Sequence, residues 1–584
     1  MRQIEHAQLE FPLNVYAHCL YLQEGRVDYL HYGLFNPDES VHYFFVRQAQ
    51  QRSTELLLSR LPPPPGRVLE VGVGLGITAL QLADMGYTVT GLSPDAAQID
   101  IARRRVGDKV TFECVTFEDF SAPAASFEVI LFQESAQYIA SLTIFNKAFE
   151  LLAESGCLLI VDEVGLRRIP TETIHNLPLL TYTVAQASRS GFELMEQLDL
   201  SAKAAPTVDY LLRVIEKHRS ALLTDLDLKA AQLDELLASL SLYQTKYRQS
   251  RYGYVLLNWT KRQPPRWKLA VVTAADQAVV RQLFDEVFAP QQMTEAHWEW
   301  KYGQPRGLGI AAWREGKMVA HYGAVRREIH YFGLPKPAIQ IADVMVAASE
   351  RRIFTRQGAF FLTAATFPEC YVGYGAEAWL GYGFPTVRAM KVGERLGLYA
   401  PVGNMVELCW QTKAAASHLW TRIRHLQPHQ VEQNQVIVNQ LWQQMAANLP
   451  NALVGVRDWK YVEHRYLQHP YKHYELLFIS RRLTAQALAV AIIHRQGDTC
   501  QLIDFIGDLR HIPETLRQVR RMAGVWGMKQ VVVWITENFT TAFSKLQKAK
   551  PLDIQIPHSI WCQGVSPKEV DGHWWLMAGD TDFM

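Results

Sequence analysis

The stretch that most constrains the fold runs from Arg67 to Asp95, RVLEVGVGLGITALQLADMGYTVTGLSPD. An apolar run leads into a glycine-rich turn, and the turn opens a helical pattern, which is typical of a strand–turn–helix unit in an α/β sheet. The glycines follow the spacing G-x-G-x-G and are Gly72, Gly74 and Gly76. This spacing departs from the G-x-G-x-x-G dinucleotide fingerprint, and no lysine follows as a P-loop requires. The turn therefore indicates a different class of ligand.

The charged residue beside this turn indicates which class of ligand the turn binds. Glu70 stands two residues before the first glycine. An anionic pyrophosphate gains nothing from a carboxylate, whereas a cationic ligand does. S-adenosylmethionine (SAM) carries a sulfonium and an amino group and meets this condition. Glycines lack a Cβ and let the backbone approach such a ligand closely. A tight strand–helix turn without a ligand is the alternative.

Short apolar or β-branched segments recur after the turn, separated by helical patterns. Strands are expected at residues 87–93, within 110–120 with its end at 117–119, within 127–139 with its end at 133–134, and at 156–164. This alternation predicts a parallel, doubly wound sheet. Ligands of such sheets bind outside the carboxyl ends of the strands. The candidates for cofactor contacts at those ends are Ser93, Phe117 and Gln133.

Residues 1–262 resemble the class I SAM-dependent methyltransferases that act on small molecules. The resemblance is carried by Val68–Ile77, the strand ending at Ser93, Phe117-Glu118, FQESAQYI and the late strand RYGYVLLNWTKR. It implies that Glu70 and the three glycines hold the methionine part of SAM, with Phe117 and Glu118 beside the adenine. The ribose-binding acid of the family is replaced by Ser93, so Ser93, Asp95 and Gln98 remain alternatives for that contact.

The catalytic residues of this part are less clearly marked. The segment DYLHYGLF resembles a lid that covers SAM and substrate in some family members, which makes His31 and Tyr32 candidates. An ordinary packing role for both is the alternative. Glu134 and Tyr138 are placed to serve an amine nucleophile near the sulfonium. Because methyl transfer from SAM depends mainly on in-line positioning and desolvation, an obvious base is not required.

A second pattern begins after KRQPPRWKL, a polar, proline-bearing segment at 261–269 that is typical of a domain boundary. A strand and a helix follow, and then a hairpin over 308–331. A further strand leads into ERRIFTRQGAFF, where another helix opens. The amides of a helix N-terminus suit an anionic pyrophosphate. The residues that add charge or permit close approach there are Arg351, Arg352, Arg356 and Gly358.

The run DVMVAASERRIFTRQGAFF resembles the strand and pyrophosphate loop with which GNAT acyltransferases bind coenzyme A. This implies acetyl-CoA or another acyl-CoA as donor, with Val346 on the cofactor strand; the pantetheine arm of an acyl carrier protein is the alternative. The loop departs from the Q/R-x-x-G-x-G/A pattern at Thr355 and Phe360. Asp343 is the expected general base, or alternatively a structural carboxylate, and Tyr399 is the expected general acid.

The remaining sequence repeats part of this pattern. Residues 461–492 echo residues 297–325, since each has an aromatic stretch, a proline and an apolar hairpin. This predicts an internal repeat, a second GNAT-like half that lacks a pyrophosphate loop and shapes the acceptor pocket. The expected α/β architecture is a Rossmann-like methyltransferase domain at 1–262, a GNAT-like domain at 263–411 and a degenerate GNAT-like domain at 412–584.

The amino-acid composition of the chain limits the kinds of partner that it is expected to bind. The 584 residues carry a formal net charge of +1, which favours neither nucleic acid nor an anionic membrane. The seven cysteines form no C-x-x-C pair, and spaced histidines lack a completing metal ligand. The first residues lack the apolar region of a signal peptide. We therefore expect a cytoplasmic protein that acts on small molecules and holds no metal.

Together these patterns predict a bifunctional enzyme that transfers a methyl group from SAM and an acyl group from acyl-CoA to one small amine, amino sugar or amino-acid-like metabolite. Two alternatives remain open. In one, the GNAT-like halves only bind a substrate or a carrier protein. In the other, the chain is a SAM-responsive scaffold without catalysis.

Overall fold

The computed structural model describes residues 5–39, 45–171, 177–351, 355–413, 420–426 and 431–581. The chain divides into two compact units. Unit 1 contains Met1–Arg168 and Asn176–Ala270, and unit 2 contains Ile169–His175 and Val271–Met584. Among the described residues, no helix is both long and apolar enough to cross a membrane.

Unit 1 alternates strands and helices through its first half and adds a helical layer in its second. Its strands are β1 Arg67–Val71, β2 Thr88–Ser93, β3 Thr111–Cys114, β4 Phe127–Gln133, β5 Leu152–Gly165, β6 Phe192–Asp199 and β7 Tyr252–Lys261. Its helices are α1 Leu13–Glu24, α2 Val46–Leu58, α3 Ile77–Asp84, α4 Ala96–Val106, α5 Ser141–Leu151, α6 Leu180–Arg189, α7 Ser201–Ala204, α8 Pro206–Lys217, α9 Arg219–Asp225 and α10 Ala230–Arg248.

The sheet of unit 1 has the order β3-β2-β1-β4-β5-β7-β6. The first five strands are parallel, but β7 runs antiparallel to both β5 and β6. The expectation of a parallel doubly wound sheet is therefore correct for five strands, and the complete sheet is mixed. The central strands are buried along nearly their whole length, which is why they appear in the sequence as continuous apolar runs.

One of the expected strands is shorter than the sequence pattern indicated, and another ends where it was expected. β3 ends at Cys114 and not at residues 117–119, because Thr116 starts a turn in which the Phe120 amide donates to its carbonyl. β4 ends at Gln133, and the next residue, Glu134, has a positive φ of 57°. Both endings lie at the carboxyl edge of the sheet, where they expose side chains to a ligand.

Unit 2 is built on two sheets. The strand β8 Lys268–Val271 lies at the division between the units. The strands that follow are β9 Gly307–Arg314, β10 Lys317–Tyr331, β11 Leu334–Val346, β12 Leu380–Tyr382, β13 Tyr399–Gln411, β14 Thr421–His425, β15 Leu453–Gly455, β16 Glu475–Arg481, β17 Ala487–Gln496, β18 Thr499–Gly507, β19 Gln530–Thr536, β20 Lys550–Ser559 and β21 Trp574–Trp575.

The helices of unit 2 pack on these sheets. They are α11 Gln277–Val287, α12 Glu295–Tyr302, α13 Ala359–Tyr371, α14 Val387–Leu396, α15 Val431–Ala447, α16 Trp459–Val462, α17 Ile512–Val525, α18 Thr540–Phe543 and α19 Pro567–Val570. The helices α11 and α13 both pack against β10 and β11.

The first sheet runs β12-β11-β10-β15-β21, with β9 also on β10. β11 and β12 are parallel and pair only over Ala338–Gln340, so the carboxyl half of β11 is not paired with β12. The second sheet has the order β14-β16-β17-β18-β19-β13-β20. β13 therefore follows the elements of the first half along the chain but lies in the sheet of the second half.

The two halves of unit 2 repeat one order of elements. Each has two helices, three antiparallel strands, a helix, a strand parallel to the third strand, a further helix and a last strand. The repetition extends to side chains. Tyr302 donates to Asp343 in the first half, and Tyr466 donates to Asp504 in the second.

Candidate functional site

The glycine-rich turn after β1 has the backbone that its sequence predicts. Gly72, Gly74 and Gly76 have positive φ angles of 83°, 52° and 83°, a region that side chains disfavour. A Cβ on Gly72 would lie 2.5 Å from the Ser135 Cβ, and one on Gly76 would lie 2.9 Å from the Ala102 Cβ. A Cβ on Gly74 would meet nothing within 4 Å. The turn therefore packs tightly at both ends and is open at its centre.

Glu70 is the buried acid of this site. Its side chain, on β1, is only 2% exposed, and Oε2 has no hydrogen-bond partner among the described residues. Burial raises the pKa of Glu70 to about 8. A buried polar oxygen without a partner is unfavourable, and an amino group at the open turn would satisfy it. The residues present therefore fit the cationic methionine part of SAM.

The alternatives for the ribose contact bond to one another. The Ser93 hydroxyl donates to Gln98 Oε1 at 3.2 Å and accepts from the Asp95 amide at 3.1 Å. The Asp95 carboxylate caps α4 by accepting from the Ala97 amide at 2.8 Å. Ser93 and Asp95 are thus held by the strand end and by the helix start, and the assignment of the ribose contact stays a prediction.

The remaining cofactor candidates differ in exposure. Phe117 is buried and packs edge-on against Phe132, with 5.2 Å between ring centroids, while Glu118 is exposed. Gln133 is buried, accepts from Thr78 Oγ1 at 3.1 Å and donates to Thr54 Oγ1 at 3.3 Å. Phe117 and Gln133 therefore form part of the buried surface at the carboxyl ends of the strands.

His31 has both ring nitrogens in hydrogen bonds. Nδ1 lies 2.9 Å from the Tyr32 carbonyl, and Nε2 lies 3.1 Å from Thr54 Oγ1. Burial lowers the pKa of His31 to about 4, so the ring is neutral at physiological pH. This arrangement positions the Tyr32 backbone, and it leaves no ring nitrogen available to a substrate.

A group of carboxylates and tyrosines lies at the ends of β4 and β5. Glu134 Oε1 accepts from the Tyr32 amide at 2.5 Å and from the Tyr254 hydroxyl at 2.7 Å. Glu163 Oε1 accepts from the Tyr247 hydroxyl at 2.7 Å. We call the group formed by Glu134, Asp162, Glu163, Tyr32, Tyr247 and Tyr254 the acid–tyrosine cluster.

Burial raises the pKa of every acid in the cluster. The pKa of Glu134 lies well above its ordinary value, and those of Asp162 and Glu163 rise to about 8 and about 7. Sequence reasoning found Glu134 but missed the other two acids. Their signal is the pair of carboxylates inside the apolar run of β5, since buried strands rarely carry such residues without a role. Tyr138, the other candidate, is 81% exposed.

Comparisons with known proteins bear on this unit. Residues 68–156 match the family model of a methyltransferase domain. This match lies within unit 1 and supports the resemblance to class I SAM-dependent methyltransferases that the glycine turn indicated.

The relatives of the methyltransferase domain are enzymes of several kinds. A ubiquinone biosynthesis O-methyltransferase of Agrobacterium fabrum is 33% identical over 102 residues, which is 17% of this chain and 41% of that protein. A 27-O-demethylrifamycin SV methyltransferase of Amycolatopsis mediterranei is 27% identical over 256 residues, covering 40% of this chain and 90% of that protein. The chain spans about two fifths of the first curated relatives it matches.

Among solved structures, a cyclopropane synthase from Mycobacterium tuberculosis is similar to part of this chain. It is 17% identical, and the alignment covers 44% of this chain and 95% of that chain with a TM-score of 0.37.

Unit 2 has a site of its own, a cavity of about 1240 Å³. Asp343, Val346, Thr355, Phe360 and Tyr399 all line it. Of the other expected residues, Arg352 lies outside the described residues. Arg356 has its guanidinium 5.7 Å from the Trp561 ring centroid, and Gly358 donates its amide to the Thr355 carbonyl at 2.9 Å. Neither Arg356 nor Gly358 is part of the described cavity wall.

Asp343 is the charged centre of this cavity. It has a positive φ of 46° at an irregularity in the pairing of β10 with β11. Its Oδ2 lies 2.8 Å from Lys301 Nζ and accepts from the Tyr302 hydroxyl at 2.5 Å. Burial would raise the pKa of Asp343, but the charge and hydrogen bond of Lys301, with that of Tyr302, hold it below its ordinary value. Asp343 is therefore ionised.

Tyr399 lies in the same wall. Its hydroxyl is 2.6 Å from that of Tyr322, which also lines the cavity. Burial, followed by the neighbouring Tyr322, raises the pKa of Tyr399 well above its ordinary value. Tyr399 therefore keeps its proton, and the wall contains one ionised acceptor and one protonated donor.

Asp504 occupies the position in the second half of unit 2 that matches Asp343, and other side chains enclose its carboxylate. Asp504 accepts from Tyr466 at 2.8 Å, and Arg457 Nε lies 2.9 Å from its carboxylate. Arg457 also pairs with Asp580, and the side chains of Arg457, Asp504 and Asp580 are fully buried. The acid that faces a cavity in the first half is therefore part of a buried ion-pair network in the second.

Proposed function

We propose that the methyltransferase domain binds SAM and transfers its methyl group to a small amine. The observation that carries this is the unpartnered Glu70 oxygen beside an open glycine turn. SAM, when bound, supplies an activated methyl group. Glu70 would hold its amino group, and the turn at Gly74 would admit it. Ser93, Asp95 and Gln98 are the alternatives for the ribose, and Phe117 and Glu118 are proposed beside the adenine.

The acid–tyrosine cluster supports an amine acceptor. Aromatic faces and carboxylates attract a cationic substrate, and Tyr32 and Tyr254 stack with 5.6 Å between centroids. An amine must lose a proton to become a nucleophile. Glu163, with a pKa near 7, has the proton affinity that a general base needs at physiological pH. Glu134 and Tyr138 are proposed to orient the amine, and His31 to position the segment that carries Tyr32.

Calorimetry with SAM tests the cofactor site. Gly74→Arg should abolish SAM binding, because the new side chain would extend from the open centre of the turn into the space proposed for SAM. Gly107→Arg is the matched control, since Gly107 also has a positive φ and no atom within 4 Å of a built Cβ, but lies after α4. SAM binding that survived Gly74→Arg would place the site elsewhere.

A second function is proposed for unit 2, namely N-acyl transfer from an acyl-CoA or an acyl carrier protein. The cavity beside the half of β11 that is not paired with β12 favours it, since it brings Asp343, Val346 and Tyr399 into one wall. The amine nitrogen would attack the thioester carbonyl, the C–S bond would break, and the thiolate would take a proton from Tyr399. Asp343 would receive the amine proton through water. The order of elements supports the division of unit 2 into two GNAT-like halves.

Mass spectrometry with both donors distinguishes the alternatives. An amine panel would be incubated with the protein, SAM and mixed acyl-CoAs, and each donor would be omitted in turn. A methyl and an acyl gain on one compound support a bifunctional enzyme. A methyl gain alone supports halves that only bind, and SAM binding without either gain supports a SAM-responsive scaffold.

A further inference from the structure

The cavity of unit 2 is larger and more apolar than transfer of an acetyl group requires. Small-molecule sites usually measure about 300–1,000 Å³, and this one measures about 1240 Å³. Two helices supply aromatic side chains to its wall. α11 and the residue that follows it contribute Phe284, Val287 and Phe288, and α13 contributes Phe360, Phe361 and Phe367.

The helices that carry these apolar side chains pack on the strand that carries Asp343. Both helices pack against β10 and β11, and β11 carries Asp343 into the cavity wall. Phe284 and Phe288 stand one helical turn apart with ring centroids 4.8 Å from each other. Val287 and Phe288 are half-buried, so part of their apolar surface faces the cavity. An apolar chamber therefore adjoins the proposed reaction centre.

Both acids of the wall are already compensated. Asp343 pairs with Lys301 at 2.8 Å, and Glu350 lies 2.7 Å from Arg314 Nη1. A ligand of this chamber gains from removing apolar surface from water, in proportion to the area buried, while Arg351, Arg388 and Lys472 add positive charge to the same cavity wall.

We propose that the chamber lined by Phe284, Val287 and Phe288 holds the aliphatic chain of a medium- or long-chain acyl donor, with its thioester carbonyl beside Asp343. This inference rests on the acyl transfer proposed above and names the class of its donor. Acetyl would leave the chamber empty, whereas an extended chain fills it.

The test measures binding of acetyl-CoA, octanoyl-CoA and dodecanoyl-CoA to the full chain by calorimetry, without an acceptor. A buried methylene contributes about 0.8 kcal/mol, so affinity should rise at least about a hundredfold from the acetyl to the dodecanoyl thioester. Equal affinity for the three thioesters would overturn the inference.

A cavity-filling variant adds a second readout. Val287→Trp should weaken dodecanoyl-CoA binding by about tenfold or more, through loss of the buried chain, and leave acetyl-CoA binding unchanged. Gln282→Trp is the matched control, because Gln282 is exposed on the same helix and is not a wall residue. If Val287→Trp does not fold, Val392→Trp on α14, with Lys391→Trp as its control, replaces it. Unchanged dodecanoyl-CoA binding in a folded filling variant would overturn the inference.

The outcomes separate this inference from the reaction on which it rests. Chain-length-dependent binding that the filling variant removes, without an acylated amine, would support the chamber and contradict acyl transfer. Acyl transfer with equal rates from the three donors would support the reaction and overturn the chamber. Free dodecanoate that bound as tightly as dodecanoyl-CoA would overturn the assignment of the chain to a thioester donor.

Discussion

At the scale of single residues, Glu70 and Asp343 are two buried acids with opposite surroundings. Glu70 has an oxygen without a partner, so its protonated form is favoured. Asp343 has Lys301 and Tyr302 against its carboxylate, so its ionised form is favoured. The sequence pointed to both residues, but it gave no sign of this difference, because the partners of Asp343 come from another element.

The Glu70 environment predicts a pH dependence. Because its folded pKa is raised to about 8, its neutral form contributes stability that is fully present below the unfolded pKa and is lost as pH rises through about 8. We expect Glu70→Gln to remove this part of the dependence and to stabilise the ligand-free protein by about 1–3 kcal/mol at pH 9. The same variant should bind SAM more weakly. Denaturant unfolding between pH 5 and pH 9 measures the first effect and calorimetry the second, with Glu150→Gln on α5 as the exposed control.

A change at Asp343 tests the compensation of charge in the cavity. Asp343→Asn leaves the buried Lys301 ammonium without its carboxylate, which costs about 3–5 kcal/mol when a buried pair is broken. The double variant Asp343→Asn/Lys301→Met should recover much of that stability while remaining inactive in acyl transfer. A double variant as unstable as the single one would show that the pair is not what stabilises this wall. Chemical denaturation followed by fluorescence gives both values.

At the scale of elements, the entry into α3 depends on Gly76. This residue has a φ of 83°, and a built Cβ lies 2.9 Å from the Ala102 Cβ on α4. We expect Gly76→Ala to destabilise the protein by about 1–3 kcal/mol, because strain in the backbone adds to overpacking. Gly107→Ala shares the positive φ but has open space around it, so it isolates the backbone part. The two melting temperatures are compared directly, and equal losses would contradict the role of packing.

The positions of several elements were predicted correctly from the sequence pattern alone. The strand of the glycine turn, the late strand of unit 1 and the hairpin over 308–331 lie within one or two residues of their expected positions. Their periodicity and turn residues are local signals. The length of β3 was overestimated, because it ends where the chain must turn at the sheet edge, and apolar residues such as Phe117 and Phe120 continue past that point to pack on the core. β4 ends at Gln133, where it was expected.

At the scale of the whole molecule, unit 2 combines two similar halves that have diverged in chemistry. The Tyr–Asp pair recurs in both, but Arg457 and Asp580 close it in the second half. An inserted strand, β13, joins the chain of one half to the sheet of the other. We expect unit 2 to unfold as a single cooperative unit, because neither of its sheets is complete without residues from both halves.

The buried network predicts a large loss on removal of its arginine. Arg457→Met leaves the buried Asp504 without its arginine and Asp580 with only Arg327, at 3.7 Å, and we expect a loss of about 3–5 kcal/mol. Arg510→Met is the control, since the Arg510 side chain is 75% exposed and ion pairs at the surface contribute about 0–1 kcal/mol. Urea unfolding should separate the two variants clearly. A loss at Arg457 no larger than that at Arg510 would contradict a structural role for the network.

The sequence by itself determined the strand–turn–helix unit, the G-x-G-x-G turn, the position of Glu70 and the order of elements, because each depends on residues close together along the chain. Only the tertiary structure decided what surrounds the acids. Glu163 meets Tyr247, Asp343 meets Lys301, and Asp504 meets Arg457, over separations that no local pattern encodes. The cavity of unit 2 likewise lies beside the half of β11 that extends past its pairing with β12, an arrangement that appears only once the sheet has formed.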